Sequence, residues 1–456
     1  KLWFDLLRDN RHSKTAITAA SLSMHRTATT TTTTAGAAGA TPVTGDESDD
    51  DGRGVQGVKC ATDNPSIATQ RAARTRRQAL ARTAAGDTAR ASPKHTPIFV
   101  RFVHLRSGAA GDVSEQQRMQ QVAVLNDAFR AANFDFIYHP SNVVNHDNDD
   151  WFRMEHKSAE EAAAKRELYR SGFLNIYTVN PPTGTLGWAT FPWDFAGAPT
   201  MDGVVLHVDT LPGGTNHPFN EGDTGVHEVG HWFGLLHTFQ NGCSGEGDEI
   251  DDTPAHRFPN WGKPDPTAAN GACMAGERAP VKNYMNYTDD AWMDNFTPGQ
   301  VARMQEHAAV YRRDAGTFFV VNRRSGKMLD VHSHDIDCDG ANVQQWGRGG
   351  TDQHWRLESI GGGYFHIVNA HSGKLLDVHA PDINRDGANV QQRGCGGTNQ
   401  HWWIDMTDDG HFYIVNRASG KVIDIDLPEV GLDGANAQQW SRSGGHHQQW
   451  TVSSVH

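Results

Sequence analysis

The pattern of apolar and polar residues divides the 456-residue chain into three unlike parts. Residues 1–95 are of low complexity: a threonine- and alanine-rich run is followed by the acidic cluster DESDDDG and the arginine-rich stretch RAARTRRQALAR. Such a composition cannot bury much apolar surface. It predicts a segment that is disordered or only partly helical, either a linker or prosegment or a tail without a role of its own.

Strands and helices alternate from Pro97 onwards. The apolar runs PIFVRFVHL, FDFIYHP and FLNIYTVN predict strands, whereas VSEQQRMQQVAVLNDAFRAANF and AEEAAAKRELYR have the period of amphipathic helices. Thr297 as N-cap, Pro298 at the first helical position and Gln300 as reciprocal partner predict the start of a last helix. Residues 96–314 are therefore predicted to form a mixed α/β (α+β) domain.

Residues 316–456 contain three repeats. The repeats begin with FVVNRRSGKMLDV, FHIVNAHSGKLLDV and FYIVNRASGKVIDI, and they end in QHW, QHW and QQW. Asn322, Asn369 and Asn416 follow one another at intervals of 47 residues. A fixed period indicates repeated units that share one core. Short strands and glycine-rich turns in three copies predict a closed all-β domain with pseudo-threefold symmetry.

Charge and cysteine content narrow the classes of protein. The formal net charge of −13 argues against a nucleic-acid partner, since phosphate binding requires a basic surface. No run of 18 apolar residues is present, so no membrane span is predicted. The five cysteines form no C-x-x-C pair, which argues against a thiolate zinc site. The first residues lack the apolar core of a signal peptide, so export is not visible directly.

The segment TGVHEVGHWFGLLHTF predicts a metal site. His227 and His231 lie four residues apart and share one face of a helix. Gly234 allows a turn with positive φ, which brings His237 back as a third ligand. Three protein ligands leave Zn²⁺ one open position, as in catalytic sites, and Glu228 is placed to act as general base. The alternative, a helix with incidental histidines, requires a rare chance match.

At these residues the chain resembles the metzincin endopeptidases, whose motif is H-E-x-x-H-x-x-G-x-x-H with a downstream Met-turn. The flanking stretches GDEIDDTP, NYMNYTDD and FTPGQVARM are similar to those of the pappalysin family, which has secreted microbial and fungal members. The resemblance implies a zinc-dependent catalytic domain with Met285 in the Met-turn. It assigns Tyr287 to oxyanion stabilisation or to packing below the metal. LGWATFP would be the edge strand that pairs with an extended peptide substrate.

The resemblance also implies further sites. Cys243 and Cys273 match positions at which family members form a disulfide, whereas Trp292 stands where many fungal relatives have another cysteine. Relatives favour a basic residue after the scissile bond, which Asp289 and Asp290 are candidates to recognise. A nearby acidic group predicts either a Ca²⁺ site with hard oxygen ligands or a solvated loop. The proposed calcium ligands are Asp248, Asp251, Asp252 and Thr253.

Cys60 lies upstream of the predicted catalytic domain. Its thiolate could occupy the open zinc position and keep a zymogen inactive. A cysteine in a flexible tail, free or disulfide-bonded, is the alternative. If the switch exists, we expect activation by cleavage after the dibasic pair Arg76-Arg77 or nearby.

The Q-x-W endings resemble the ricin-type β-trefoil lectins across residues 316–456. The resemblance implies that the repeated tryptophans Trp355, Trp402 and Trp450 fill a shared core. It also implies up to three sugar pockets, each with an aspartate, amide side chains and an aromatic platform. The predicted sugar-binding residues are Asp330, Gln344 and Trp346; Asp377, Gln391 and Asn399; and Asp424, Gln438 and Trp440.

Each copy departs from the lectin pattern at one position. Arg393 replaces the aromatic residue of the second copy, whereas Asp352 and His447 replace the asparagine of the first and third. A purely structural trefoil is therefore the alternative. Together the three parts predict a secreted zinc endopeptidase that acts on proteins or peptides and binds carbohydrate or glycoprotein through its trefoil. The contrasting hypothesis is a lectin-like binding protein whose protease-like domain is not productive.

Overall fold

The computed structural model describes six stretches of the chain: residues 59–84, 96–244, 247–312, 317–361, 364–407 and 411–455. The disorder predicted for the first 58 residues lies outside the described part. Within the N-terminal segment Ile67–Ala84 form helix α1, whereas residues 59–66 are not helical. None of the described helices has the length and hydrophobicity that crossing a membrane requires.

Five strands form the sheet of the α/β domain: β1 (Thr96–Arg106), β2 (Phe134–Asp147), β3 (Leu174–Val179), β4 (Gly187–Ala189) and β5 (Val204–His207). Their spatial order is β2-β1-β3-β5-β4. The first four strands in this order are parallel, and β4 pairs antiparallel with β5 at one edge. The predicted edge strand LGWATFP therefore contributes β4.

Helices cover both faces of this sheet, which explains why β3 is buried along its whole length. On one face, Leu125 and Val229 belong to the same apolar cluster as Phe102. The last helix starts with the predicted capping box, in which Thr297 and Gln300 exchange hydrogen bonds. The helices are α2 (Glu115–Ala128), α3 (Asp149–Phe152), α4 (Ala159–Leu168), α5 (Asp223–Trp232) and α6 (Pro298–Tyr311).

The C-terminal region has the β-trefoil architecture that the repeats predict, with four strands in each repeat. The last strand pairs antiparallel with the first, which closes the domain. The first repeat contains β6 (Thr317–Asn322), β7 (Met328–Val331), β8 (Val343–Trp346) and β9 (His354–Gly361). The second contains β10 (Tyr364–Asn369), β11 (Leu375–Val378), β12 (Ala388–Arg393) and β13 (Trp402–Met406). The third contains β14 (Phe412–Asn416), β15 (Val422–Ile425), β16 (Ala437–Trp440) and β17 (Trp450–Ser454).

The three repeated tryptophans fill the trefoil core. Trp355, Trp402 and Trp450 have no exposed surface, and each indole N–H donates to a backbone carbonyl of its own repeat. Their buried nitrogens are thus satisfied, as a stable core requires. The expectation that these side chains pack rather than bind ligand is confirmed.

An aromatic contact joins the two domains. The ring of Phe99 on β1 meets Phe318 of the trefoil edge-on, with 5.5 Å between ring centroids, and lies 6.1 Å from Phe173. Phe173 is buried within the apolar cluster of the trefoil. Because aromatic side chains bury large areas, this seam holds the trefoil against the start of the catalytic sheet.

Candidate metal centre and active site

Helix α5 and the turn after it bring the three predicted histidine ligands together in the interior. His227, Glu228 and His231 lie on the helix and are at most 1% exposed. The chain turns at Gly234, which has φ of +87°. A side chain at this glycine would also overlap the ring of His307. Only glycine meets both requirements, and the turn delivers His237 to the other two histidines.

The three imidazoles converge through one kind of nitrogen. The Nε2 atom of His231 lies 3.2 Å from that of His227 and 3.1 Å from that of His237. For two of the rings, Nδ1 is held by the backbone carbonyls of Tyr284 and Leu235, each at 2.7 Å. Those Nδ1 atoms carry the proton, so their Nε2 lone pairs face one another and repel unless a cation lies between them.

The separations also have the size that a metal requires. Metal–nitrogen bonds of roughly 2.0–2.1 Å at tetrahedral angles put ligand nitrogens about 3.3 Å apart. Burial lowers the pKa of His231 to about 4, and burial also lowers the pKa values of His227 and His237 well below the ordinary value. Neutral imidazole is the ligand form, so the donor set fits a metal ion.

Glu228 lies beside this centre, completely buried. Burial raises the pKa of its carboxyl group to about 8. Oε2 accepts a hydrogen bond from the Thr62 hydroxyl at 2.9 Å, and the Cys60 sulfur lies 3.6 Å from the same oxygen. Oε1 has no hydrogen-bond partner in the described part of the chain. Gly187 of β4 approaches so closely that a Cβ there would stand 2.8 Å from Cγ of Glu228.

The predicted Met-turn lies directly below α5. Met285 is buried, and its sulfur leaves no room for a side chain at Gly230. Tyr287 lies against the third ligand, with its hydroxyl 3.2 Å from Nε2 of His237. The methionine thus packs as a hydrophobic floor, and the tyrosine hydroxyl lies at the edge of the metal centre.

The segment around Cys60 occupies the groove next to β4. Cys60 pairs in parallel with Gly187, and the N–H of Ala61 donates to the carbonyl of Gly187 at 2.9 Å. The sulfur of Cys60 belongs with the three histidines to one buried group whose ligand atoms all lie within 4.8 Å of one another. Cys60 is therefore buried beside the three imidazoles, within reach of a metal ion that they would hold.

The neighbours of Cys60, which no motif in the sequence marks, also contact this site. Asn64 Oδ1 lies 3.1 Å from Nδ1 of His237. Lys59 is buried, and its ammonium group donates to the carbonyl of Thr288 at 2.6 Å. Burial lowers the pKa of Lys59 to about 8, an effect that Asp290 opposes most strongly among the nearby carboxylates. Their closeness to Cys60 in the sequence is the one feature from which their position at this site could have been predicted.

Helix α1 continues from this segment and packs against the catalytic domain. The hydroxyl of Tyr311 on α6 donates to the carbonyl of Ala73 at 2.9 Å. Arg74 forms an ion pair with Glu249 at 3.1 Å. The segment from Lys59 to Ala84 thus contacts the domain at both the metal centre and α6.

Cys243 and Cys273 form a disulfide, as the resemblance implies. Only two of the four predicted calcium ligands, Asp248 and Thr253, are in contact with each other by a hydrogen bond that the structure shows. Asp248 accepts hydrogen bonds from Thr253 at 2.6 Å, whereas Asp252 accepts from Thr297 and from the N–H of Gly299 at the start of α6. Within the described residues, no three carboxylates gather there. These oxygens accept hydrogen bonds from the loop and from the helix, and the calcium site stays a prediction. Asp251 is exposed.

The trefoil repeats place the predicted sugar-binding residues in three equivalent positions. In each repeat the glutamine amide donates to the aspartate: Gln344 to Asp330 at 2.8 Å, Gln391 to Asp377 at 2.8 Å and Gln438 to Asp424 at 3.0 Å. In the second repeat Asn399 also donates to Asp377, at 2.7 Å. Trp346 and Trp440 are 45% and 41% exposed, in contrast to the core tryptophans. Polar groups and an exposed aromatic ring thus lie together in the first and third repeats.

Comparison with known proteins identifies both domains. A family model described as pregnancy-associated plasma protein-A matches residues 167–309. A model described as ricin-type beta-trefoil lectin domain-like matches residues 305–393, 351–430 and 398–456. A buried histidine centre on such a domain defines a metalloprotease. The chain belongs to the pappalysin family of metalloproteases.

The curated relatives are fungal. The chain is 35% identical over 271 residues to an extracellular metalloprotease of Pyricularia oryzae, and the aligned region covers 56% of this chain and 89% of that protein. It is 38% identical over 232 residues to an extracellular metalloprotease of Verticillium alfalfae, and the aligned region covers 49% of this chain and 79% of that protein. Among solved structures, a promirolysin variant of Tannerella forsythia is 27% identical, covers 56% of this chain and 96% of its own, and has a TM-score of 0.47.

Proposed function

We propose that the protein is a secreted zinc endopeptidase with Glu228 as general base. The observation that carries this proposal is the convergence of three Nε2 atoms next to a buried carboxyl group, with the Nε2 atom of His231 3.2 and 3.1 Å from those of His227 and His237. Membership of a family of extracellular metalloproteases supports the reaction class and the location.

His227, His231 and His237 would hold Zn²⁺, which when bound supplies Lewis-acid chemistry. The backbone carbonyls on Nδ1 keep the first two rings oriented. Glu228 takes a proton from the attacking water and passes it to the nitrogen of the leaving amine. The Tyr287 hydroxyl lies beside the ligand cluster. It therefore donates a hydrogen bond to the oxygen on which negative charge develops.

The groove along β4 is the proposed binding site for an extended peptide. The edge of β4 offers backbone groups to a paired strand, and residues 60–62 occupy it in the full-length chain. The pocket that holds Lys59, lined by Thr288 and Asp290, is then open to a basic side chain of the substrate. Of the two candidate aspartates, buried Asp290 has the stronger effect on Lys59.

Residues 1–95 are the proposed prosegment, and its described residues 59–84 make the contacts with the domain. Cys60 lies beside the three ligands, and Thr62 engages the base itself. Removal of this segment would free both the metal centre and the edge of β4. Arg76-Arg77, the predicted cleavage site, falls within α1, so a processing protease must first unwind the helix there.

Metal content and proteolysis, measured on the same preparation, test the proposed function. We expect the purified, processed protein to contain close to one zinc ion per chain and to cleave casein until a chelator is added. Added Zn²⁺ should restore cleavage. A processed protein that binds zinc without cleaving protein or peptide substrates would instead support the lectin-like alternative.

Replacement of His237 by alanine should remove the metal. Two imidazoles with two open positions bind zinc much more weakly than three, so elemental analysis should detect loss of most of the metal after dialysis. His256 provides a matched control, since it is a buried histidine that lies outside the ligand group. Full zinc occupancy in His237→Ala would contradict the ligand assignment.

The trefoil is proposed to bind carbohydrate and so to bring the protease to glycosylated substrates. A tethered binding domain raises the local substrate concentration without altering the active site. The exposed rings of Trp346 and Trp440, each next to an aspartate–glutamine pair, support this function. Deletion of residues 316–456 should spare cleavage of short soluble peptides only if the remaining domain stays folded.

The double variant Trp346→Ala and Trp440→Ala tests this targeting. It should cleave short peptides at the wild-type rate, whereas cleavage of a glycosylated protein should fall, mainly through apparent affinity. Point variants are preferable to truncation, because truncation would expose Phe99 and Phe173 of the interdomain seam. An unchanged ratio of rates on glycosylated and bare substrates would exclude the targeting role.

A further inference from the structure

The three pockets of the trefoil differ at one exposed position. Trp346, Arg393 and Trp440 occupy equivalent places at the ends of β8, β12 and β16. Each tryptophan extends over a glycine of a neighbouring repeat: Cζ3 of Trp346 would touch a Cβ on Gly434 at 3.5 Å, and Cζ3 of Trp440 one on Gly387 at 3.5 Å. The first and third pockets therefore present an aromatic platform that spans two repeats.

The second pocket lacks this platform. The atom nearest to a Cβ on the equivalent glycine, Gly340, would be Oε1 of Gln391 at 3.8 Å, so Arg393 does not cover that glycine. Arg393 is exposed, and no side chain in the described part of the protein pairs with its guanidinium group. Burial raises the pKa of Asp377 and the charge of Arg393 opposes that rise, so the guanidinium lies close to the pocket's aspartate.

The groups around the aspartate differ as well. In the first pocket a second carboxylate, Asp352, interacts with Asp330. In the third, Nε2 of His447 lies 3.1 Å from Asp424. In the second pocket the corresponding residue is the neutral amide Asn399, which donates to the aspartate. The two carboxylates of the first pocket thus repel an anion. In the second pocket the aspartate has a neutral amide as its partner, and a guanidinium group without an ion pair among the described residues lies nearby.

We propose that the second pocket binds a sugar residue that bears a carboxylate, with Arg393 as the residue that recognises the acid. This proposal rests on the carbohydrate-binding function proposed above for the trefoil. The planar guanidinium group matches a carboxylate in bidentate geometry, and such charge-assisted pairs are stronger than neutral hydrogen bonds. Asp377, Gln391 and Asn399 are left to bind the sugar hydroxyls, while Trp346 and Trp440 stack on neutral sugars.

Titration calorimetry on the full-length protein can test this specificity. The probes are trigalacturonate and its methyl ester, and sialyllactose and its methyl ester; the two members of each pair differ in the carboxylate charge. We expect at least one acidic probe to bind about tenfold or more tightly than its neutral counterpart, because a hydrogen bond to a charged group is at stake. The acidic probe that binds identifies the uronate or the sialic acid as the source of the carboxylate.

Two charge-removing variants separate the pocket from general electrostatics. Arg393→Gln should abolish the preference for the acidic probe. Arg385→Gln should retain it, since Arg385 carries the same charge in the same repeat but pairs with Asp382 outside the pocket. Arg393→Trp, which restores the platform of the other repeats, should bind the neutral probes more tightly than Arg393→Gln does.

The outcomes distinguish this inference from the function on which it rests. Binding of neutral probes without any preference for acidic ones would overturn the role of Arg393 and leave carbohydrate binding intact. An acidic preference that survives in Arg393→Gln would have the same meaning. If none of the probes binds to the folded protein, both the inference and the carbohydrate-binding proposal are wrong for these sugars.

Discussion

Replacement of Glu228 by alanine is expected to lower turnover of the processed enzyme by about 10³-fold or more while zinc stays bound, because the general base is lost and the ligands remain. The ligand rings do not depend on this carboxyl group. His227 and His231 are oriented by the carbonyls of Tyr284 and Leu235. Initial rates on a fluorogenic peptide, together with elemental analysis of the same sample, measure the two effects.

Glu228→Gln is the matched control for packing. Glutamine fills the same space beside Gly187, so a change in the groove alone cannot explain its loss of activity. Both variants must be assayed after removal of residues 59–84, since Thr62 and Cys60 contact Glu228 in the full-length chain. Proteolysis by pure, processed Glu228→Ala at a rate near that of the wild type would refute the assignment.

The metal ligands could be predicted because their arrangement is local. The positions of His227 and His231 on one helical face follow from a spacing of four residues. Gly234 signals the turn that returns His237. The trefoil was predictable for a related reason, since a fixed period of similar segments indicates similar units that share a core. Both predictions rest on patterns that the sequence itself displays: the spacing within one motif and the repetition of similar segments.

The contacts of Thr62 and Asn64 with the candidate site could not be predicted in this way, because they join distant parts of the chain. Thr62 and Glu228 are separated by 166 residues, and Asn64 and His237 by 173. No period or motif connects such pairs. The local acidic pattern has the same limit, because it does not reveal that Asp252 binds the start of α6, 45 residues away at Thr297.

The interdomain seam shows another limit of pattern analysis. Phe99 and Phe173 lie in or next to apolar runs that correctly predict strands. Periodicity indicates that such side chains are buried, but it does not say which domain buries them. In the structure Phe173 belongs to the apolar cluster of the trefoil rather than to that of its own sheet.

Replacement of Cys60 by serine is expected to activate the full-length protein without cleavage. The wild-type chain should be nearly inactive, because the sulfur lies within 4.8 Å of all three ligand nitrogens and residues 60–62 occupy the edge of β4. Serine is a much weaker metal ligand than a thiolate at neutral pH. If about 3 kcal/mol of inhibitory binding is lost, the fraction of open enzyme rises by about 10²-fold.

The remaining contacts of the segment set the size of this effect. Thr62 still donates to Glu228 in Cys60→Ser, and Lys59 still occupies its pocket. We therefore expect Cys60→Ser to be less active than processed enzyme, and Cys60→Ser combined with Thr62→Ala to approach it. Peptide cleavage before and after processing, with mass spectrometry to exclude unintended cleavage, measures this order.

Cys338→Ser is the matched control, since it removes an exposed free thiol far along the chain from the segment. Equal activity of wild type and Cys60→Ser before cleavage would rule out the switch, because a thiol that contributes to latency cannot be removed without effect.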